Sequence, residues 1–249
     1  PFDLHKTFEG RPVDMKGLEV RSGSKTFRWE GSYVDAMNEA RTDKVELNVL
    51  SENPPFFPAD YKDSEYVFLA NTNPALQIAM IKQLSNPKMI VADTMNLWID
   101  IARADLMTML TMVNGLVLNE GEARMLTGNF NLVAAGREIL GMGPDFVVIK
   151  KGELGSLLLT ADGQTFALPA YPTAEVTDPT GAGDSFAGGM MGYLAGQGKS
   201  DYASIKMAIV YGTCAASLAI EDFSLNRWNT ATFDDIENRK AELKKMMSF

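Results

Sequence analysis

The feature that most constrains the fold is a regular alternation, from residue 66 onward, of short apolar runs with segments of helical spacing. Four runs are predicted as buried strands, at 66–71, 89–93, 115–118 and 146–150. Helices are predicted between or beside them, at 74–84, 97–113, 120–126 and 132–140. Repeated strand–helix–strand units indicate a mainly parallel sheet with helices on both faces.

Two further segments have the pattern of antiparallel pairs. Residues 155–160 and 165–169 are predicted to pair through a turn at 161–163. Near the start of the chain, 25–34 and 44–50 alternate in the manner of strands and predict a small antiparallel sheet that projects from the body.

Charge and composition exclude several classes of function. The net charge is −9, which argues against a nucleic-acid binder because such proteins need a basic face. The single cysteine, Cys214, excludes an intrachain disulfide and a cysteine-based zinc site, and favours the reducing cytoplasm. The single histidine, His5, excludes a site with several histidine ligands. No apolar run reaches the roughly 18 residues that would span a membrane, so we expect no membrane partner.

Polar residues stand where the predicted parallel strands end. They are Asn71, Asp93, Asn119 and Lys150. Ligands of such sheets bind beyond the carboxyl ends of the strands, so these four residues are candidates for a binding site. The alternative is that they only terminate the strands.

The most informative motif is the sequence TDPTGAGDSFAGGMMG at 177–192. Gly181, Ala182 and Gly183 offer backbone N–H groups with little side-chain bulk, and a helix is predicted from about Asp184 to about Leu194. N–H groups at a helix N-terminus form an anion site. The sequence matches neither the Walker A loop nor the Rossmann fingerprint.

Asp184 has two interpretations. An aspartate at the start of a helix commonly caps it. Beside a bound phosphate its charge would repel the ligand, unless it accepts a proton from an attacking hydroxyl group.

The segment DPTGAGDSFAGGMMGYLA at 178–195 resembles the C-terminal signature of the PfkB, or ribokinase-like, family of carbohydrate and nucleoside kinases. Asn119 and Glu122 resemble the N-x-x-E motif of that family, and VVIKKGELG at 147–155 resembles its nucleotide loop. Residues 208–222 resemble the helix and loop that close the nucleotide pocket, and 25–50 resemble the lid strands.

The resemblance implies a three-layer α/β/α ribokinase-like fold with a small β lid, and transfer of the γ-phosphate of ATP to a sugar or nucleoside hydroxyl. Asp184 matches the catalytic base, and the N–H groups of Gly181, Ala182 and Gly183 match the anion hole. Asn119 and Glu122 match the motif that organises Mg²⁺ and phosphate, with Glu122 acting through water.

The resemblance also implies nucleotide contacts and a cation site. Lys150, Gly152 and Gly155 match the nucleotide loop, while Thr180 and Ala215 fall in the two other segments that meet the nucleotide. Asp178 matches a position at which many relatives bind a monovalent cation, so K⁺ is a candidate activator.

Two parts of the family pattern are missing. Neither the first strand with its substrate-binding aspartate nor the Gly-Gly motif is found, so 1–249 is expected to be a single kinase domain that is incomplete at its N-terminus, with lid strands at about 20–50. Its exposed edges predict pairing with another chain, and a second copy joined through the lid strands is one candidate. After Asp93, the common D-x-N-x-R pattern is replaced by DTMNLW.

These departures leave two alternatives to a kinase. One is a catalytically silent nucleotide-binding or regulatory protein of the same fold, which the missing N-terminal motifs favour and the retained Asp184 disfavours. The other is a phosphatase using the same anion hole, which leaves the nucleotide-loop resemblance unexplained. The motifs do not distinguish a sugar from a nucleoside acceptor.

Overall fold

The computed structural model of the protein describes residues 3–33 and 40–248, and within them strands form two separate sheets. The strands are β1 (Arg28–Tyr33), β2 (Ala40–Glu46), β3 (Tyr66–Leu69), β4 (Met89–Asp93), β5 (Gly115–Asn119), β6 (Phe146–Lys150), β7 (Ser156–Thr160) and β8 (Thr165–Leu168). β1 and β2 pair antiparallel, as the sequence predicts for the lid.

The larger sheet has its six strands in chain order, from β3 to β8. β3, β4, β5 and β6 run parallel, and β7 and β8 are antiparallel to their neighbours. The predicted mainly parallel sheet and its terminal hairpin are therefore confirmed.

Helices cover the strands. They are α1 (Leu4–Thr7), α2 (Pro74–Ile81), α3 (Asn96–Ile101), α4 (Arg103–Leu110), α5 (Glu120–Thr127), α6 (Leu132–Leu140), α7 (Ala182–Gln197), α8 (Tyr202–Ala219), α9 (Asn226–Thr230) and α10 (Phe233–Met246). None of the helices in the described ranges is long and apolar enough to cross a membrane.

The core has two halves, one on each face of the large sheet. Alternate residues of a strand point to opposite faces, so Ile90 and Ala92 of β4 face one cluster while Met89 and Val91 face the other. The first cluster takes its helical side chains from α2 to α6, and the second from α7, α8 and α10. This confirms the three-layer α/β/α arrangement.

The helix predicted over 97–113 is wrong as a single element. The chain forms α3 and α4 with a break at Ala102, whose φ of −131° is not helical. Both short helices bury apolar side chains, Trp98 and Ile99 from α3 and a set led by Leu106 from α4. The break gives each segment its own orientation towards the core, which periodicity alone does not reveal.

The predicted lid strands have the wrong bounds, because the first begins at Arg28 rather than at 25 and the second begins at Ala40, four residues before its predicted start. The second strand ends at Glu46, and a 3₁₀ turn at Asn48–Ser51 replaces its expected last residues. Asn48 has a φ of 47° and donates a side-chain hydrogen bond to the carbonyl of Thr26, which bends the chain out of the strand. Val34, the predicted end of the first lid strand, lies outside the described residues.

Candidate active site

Three polar side chains stand at the carboxyl ends of three adjacent parallel strands. Asp93 ends β4, Asn119 ends β5 and Lys150 ends β6. The register pairs Asn119 with Lys150, and Asp93 with Val117 of β5, so the three ends meet at one edge of the sheet. The topology thus brings together three of the four strand-end residues that the sequence singles out.

Asp93 and Lys150 form a buried ion pair across the intervening strand. The Lys150 Nζ lies 3.4 Å from the Asp93 Oδ2, and the two side chains are only 19% and 7% exposed. The other carboxylate oxygen of Asp93 accepts a hydrogen bond of 2.8 Å from the Thr94 N–H. The aspartate is held from two sides, so its position is fixed.

Lys150 is surrounded by acidic groups. Burial opposes its positive charge, but the neighbouring carboxylates of Asp93, Glu122 and Asp184 outweigh burial and raise the pKa of the ammonium group above its usual value. The structure therefore keeps a charged lysine at the centre of the strand ends.

Asn119 and Glu122 form a capping box at the start of α5. The Asn119 side chain accepts from the Glu122 N–H at 2.8 Å, and the Glu122 carboxylate accepts from the Asn119 N–H at 2.7 Å. Burial raises the pKa of Glu122 to about 7, although the charge of Lys150 acts in the opposite direction. Glu122 is thus a carboxyl group that titrates near neutral pH.

The glycine loop turns sharply into α7. Gly181 is the N-cap residue with a φ of 81°, a left-handed conformation that glycine adopts without strain. The helix begins at Ala182, two residues before the predicted start, and continues to Gln197 rather than to about Leu194. The Ala182 N–H already donates to the Pro179 carbonyl at 3.1 Å, while Gly181 and Gly183 present N–H groups that have no acceptor inside the helix.

Asp184 lies in the first turn of α7 and is exposed. It is not the N-cap residue, and no side chain caps this helix end. The capping interpretation of Asp184 is therefore wrong. Its carboxylate instead contributes to the electrostatic environment of both Lys150 and Asp93.

Lys150 reaches the same helix end. A Cβ atom built on Gly183 would lie 3.0 Å from the Lys150 Nζ, so the ammonium group rests against the backbone of the first turn of α7. The missing side chain at Gly183 makes this approach possible. Strand ends and glycine loop thus form one site.

Asp178 precedes the glycine loop and is tied to the segment after α8. Its N–H and that of Thr177 both point to the Ile220 carbonyl, at 3.3 Å and 2.8 Å. The Asp178 carboxylate accepts from the Thr180 N–H at 2.9 Å. The main chain at Asp178 and the segment after Ala219 are therefore neighbours.

The remaining predicted nucleotide residues differ in accessibility. Gly152 and Gly155 lie in the turn beyond the end of β6, and Gly155 must be glycine because a Cβ there would lie 2.0 Å from the Leu168 carbonyl oxygen. Ala215 is only 3% exposed and packs against Gly189, in the contact between α7 and α8. The structure places Ala215 behind the site rather than on its open surface.

Asn71 and Asn96, two other polar residues near strand ends, serve local structure. The Asn71 Oδ1 accepts a 2.8 Å hydrogen bond from the Trp98 indole N–H. The Asn96 Oδ1 accepts from the Leu97 N–H at 2.9 Å, at the start of α3.

Sequence reasoning missed Gln77, whose side chain is fully buried. Its Nε2 lies within hydrogen-bond distance of the Leu69, Ala70 and Asp93 carbonyls, so it ties the ends of β3 and β4 together. The signal was a glutamine on the inward face of an apolar helix. Gln77 therefore stabilises the carboxyl ends of β3 and β4.

The residues at the strand ends suit a magnesium ion. Carboxylate oxygens are ligands of this hard cation, and Mg²⁺ keeps several waters when it binds substrate phosphates. Within 3–33 and 40–248, no cluster of three acidic, histidine or cysteine residues is found that could hold a metal ion. The Glu122 carboxylate, at the start of α5, is a candidate to act on Mg²⁺ through the waters of the ion.

Comparison with known proteins agrees with this geometry. Residues 34–229 match the sequence pattern of the pfkB family carbohydrate kinases. The cytidine kinase of Thermococcus kodakarensis is 31% identical over 191 residues, which are 74% of this chain and 67% of that protein.

Solved structures share the fold. A ribokinase from Thermotoga maritima superposes with a TM-score of 0.69 at 19% identity, covering 88% of this chain and 71% of that one. Aminoimidazole riboside kinase from Salmonella enterica, complexed with aminoimidazole riboside and an ATP analogue, gives 0.59 at 20% identity, covering 74% and 64%. The predicted ribokinase-like fold is confirmed.

Proposed function

The chain belongs to the pfkB family of carbohydrate kinases, and we propose that it transfers the γ-phosphoryl group of ATP to a hydroxyl group of a sugar or nucleoside. The single observation that carries the proposal is the meeting of three groups at the start of α7: the glycine backbone, the exposed Asp184 and the buried charge of Lys150. Phosphoryl transfer needs an anion site, a proton acceptor and positive charge in one place.

In the proposed reaction Asp184 accepts the proton of the acceptor hydroxyl group. The hydroxyl oxygen forms a bond to the γ-phosphorus, and the bond from that phosphorus to the β–γ bridging oxygen breaks to release ADP. The N–H groups of the Gly181–Gly183 loop stabilise the charge on the transferring group, because fixed dipoles act most strongly where charge develops. The Ala182 N–H must leave the Pro179 carbonyl to take part.

Nucleotide and metal contacts are assigned to the neighbouring residues. Asn119 and Glu122 would hold Mg²⁺ through its waters, and the ion would supply positive charge to the phosphates. Lys150, Gly152, Gly155 and Thr180 line the nucleotide side, and Ala215 supports it from behind.

We further propose a monovalent cation between Asp178 and the segment after Ala219. The Asp178 main chain donates to the Ile220 carbonyl and its carboxylate accepts from the Thr180 N–H directly before the glycine loop, so a cation there would shape the anion hole without touching substrate. We expect K⁺ to raise the rate of phosphoryl transfer over that in a large organic cation such as tetramethylammonium. Equal initial rates in the two salts at one ionic strength would contradict this site.

We propose that residues 1–249 are one kinase domain that acts in the cytoplasm on a small molecule. β1 and β2 form its lid, and a two-stranded sheet is marginally stable alone, which favours support from a second copy through the lid strands. Sedimentation at several protein concentrations tests that dimer.

The direct experiment is a panel of acceptors. The protein is incubated with Mg²⁺, ATP and one of cytidine, ribose or aminoimidazole riboside, and ADP and phosphorylated product are measured together by mass spectrometry. A kinase gives equal amounts of the two with at least one acceptor. A silent nucleotide-binding protein gives neither, and a phosphatase releases inorganic phosphate instead.

A further inference from the structure

Lys150 occupies an electrostatically unfavourable position. Its Nζ lies against the first turn of α7, at the 3.0 Å approach described for Gly183. A helix of this length, 16 residues, carries partial positive charge at its N-terminus, which repels a cation and attracts an anion. A lysine that served packing alone would gain by pointing elsewhere.

The acidic groups explain how the lysine is held there. Asp93 pairs with it directly at 3.4 Å, and the carboxylates of Glu122 and Asp184 add to the attraction. Asp93 belongs to the edge of the sheet and Gly183 to the helix end, and the Lys150 Nζ lies close to both. An anion placed between the helix N–H groups and Lys150 would satisfy both.

We propose that Lys150 is a catalytic residue that contacts the transferring phosphoryl group, and that Asp93 is the positioning residue that aims it. This inference rests on the proposed kinase function and deepens it. The Lys150 ammonium group donates hydrogen bonds to a non-bridging oxygen of the γ-phosphoryl group while the acceptor oxygen bonds to phosphorus and ADP departs. Lys150 keeps its proton throughout, and the acceptor proton goes to Asp184.

The groups around Lys150 favour contact with the transferring phosphoryl group over a role in nucleotide binding alone. The adjacent glycine N–H groups and Asp184 act on the group being transferred. A fixed cation beside them stabilises charge that develops in the transition state. Lys150 should therefore affect the reacting state more than the affinity for ADP.

The test uses ADP with fluoroaluminate, which mimics the transferring phosphoryl group and needs no known acceptor. The affinity for Mg²⁺–ADP is measured by calorimetry with and without fluoroaluminate, for the full chain and its Lys150→Met variant. The matched control is Lys206→Met, which removes the same charge from a lysine that stacks on Tyr202 and Phe166.

We expect fluoroaluminate to tighten ADP binding by the parent protein and by Lys206→Met. Lys150→Met should weaken ADP binding far less than it weakens the enhancement, of which it should lose a factor of roughly 10², the usual cost of one donor to a developing oxyanion. Retained enhancement in Lys150→Met would overturn the inference and leave the kinase proposal standing. ADP binding without any enhancement in the parent would also overturn it.

Failure of the proposed function is distinguishable, because the parent protein would then either bind no ADP or bind ADP without any enhancement by fluoroaluminate, whereas failure of the inference alone leaves the enhancement intact in both the parent and Lys150→Met. Circular dichroism shows whether Lys150→Met folds. If it does not, Lys150→Arg answers the same question, since arginine keeps the charge but replaces the compact ammonium group by a planar fork of donors. For Lys150→Arg we expect fluoroaluminate to tighten ADP binding several-fold less than in the parent protein. An unchanged enhancement would contradict the proposal.

Discussion

Residues 3–65 and the region of the large sheet differ in how far their ion pairs are exposed to solvent. In the described part of 3–65, no side chain is fully buried, and the first buried residue is Leu69. There the Lys16 side chain pairs with Asp60 at 2.9 Å, but the two are 62% and 69% exposed. The Lys150–Asp93 pair of the body is longer and almost enclosed.

The difference shows where the chemistry belongs. An exposed pair is solvated and screened, so it contributes little to stability or to the local field. A buried pair at the ends of parallel strands keeps a strong local charge that a ligand can use. The strand ends therefore supply the electrostatics of the proposed site.

The largest expected effect concerns Asp184, on the body side of this comparison. Asp184→Asn removes the proton acceptor, so turnover should fall by roughly 10² to 10⁴ while ATP binding persists. Steady-state rates and nucleotide titrations measure the two separately. Because Asp184 is exposed, the variant should unfold at the parent temperature. Turnover within a few-fold of the parent would exclude Asp184 as the base.

A second prediction concerns the pH dependence of stability. The pKa of Glu122 is about 7 in the folded protein against 4.5 as its ordinary value, so unfolding releases a proton between these pH values. Raising the pH from 4.5 to about 7 therefore lowers the free energy of unfolding, and Glu122 contributes roughly 3 kcal/mol to this decrease. Denaturant unfolding of the metal-free protein at pH 4.5 and pH 7.5 measures it.

The variant Glu122→Gln should lose that decrease in stability. Glu120→Gln, two residues away in the same first turn of α5, is the matched control and should keep the decrease in stability. If Glu122→Gln and Glu120→Gln show the same pH dependence as the parent, Glu122 does not titrate near neutral pH.

A smaller effect is expected from the buried pair. Asp93→Asn keeps an acceptor for the Thr94 N–H but leaves Lys150 without its direct counter-ion, with Glu122 and Asp184 still close. We expect the free energy of unfolding to fall by roughly 1–3 kcal/mol, below the usual cost of an uncompensated buried charge. An unchanged urea midpoint would show that the pair is not held in solution.

The smallest effect is expected from the same substitution in the first region. Asp60→Asn removes the exposed partner of Lys16, and the melting temperature should not change measurably. Destabilisation equal to that of Asp93→Asn would break the contrast between the two regions.

The sequence predicts elements well where periodicity and punctuation agree. α6 has its predicted bounds, and Asn131 before it caps two N–H groups. α5 stops as predicted at Gly128, which adopts a left-handed conformation. The strand-end residues Asp93, Asn119 and Lys150 could likewise be predicted to meet, since parallel strands end at one edge.

Other features depend on contacts that local sequence does not contain. The break at Ala102 follows from the packing of two helices on one face of the sheet. The approach of Lys150 to Gly183 depends on how α7 crosses the end of β6, a contact between residues 33 positions apart. The contacts of the Gln77 Nε2 with the Leu69 and Asp93 carbonyls likewise join the ends of β3 and β4, which are distant in the chain.

A crystal structure of the protein with Mg²⁺, ADP and fluoroaluminate would show whether the start of α7 and the buried Lys150 form one phosphoryl-transfer site. We expect fluoroaluminate against the N–H groups of Gly181 and Gly183, within hydrogen-bond distance of the Lys150 Nζ, with Asp184 on its acceptor side. Fluoroaluminate bound elsewhere, or bound with Lys150 still directed only at Asp93, would show that the two do not form one site.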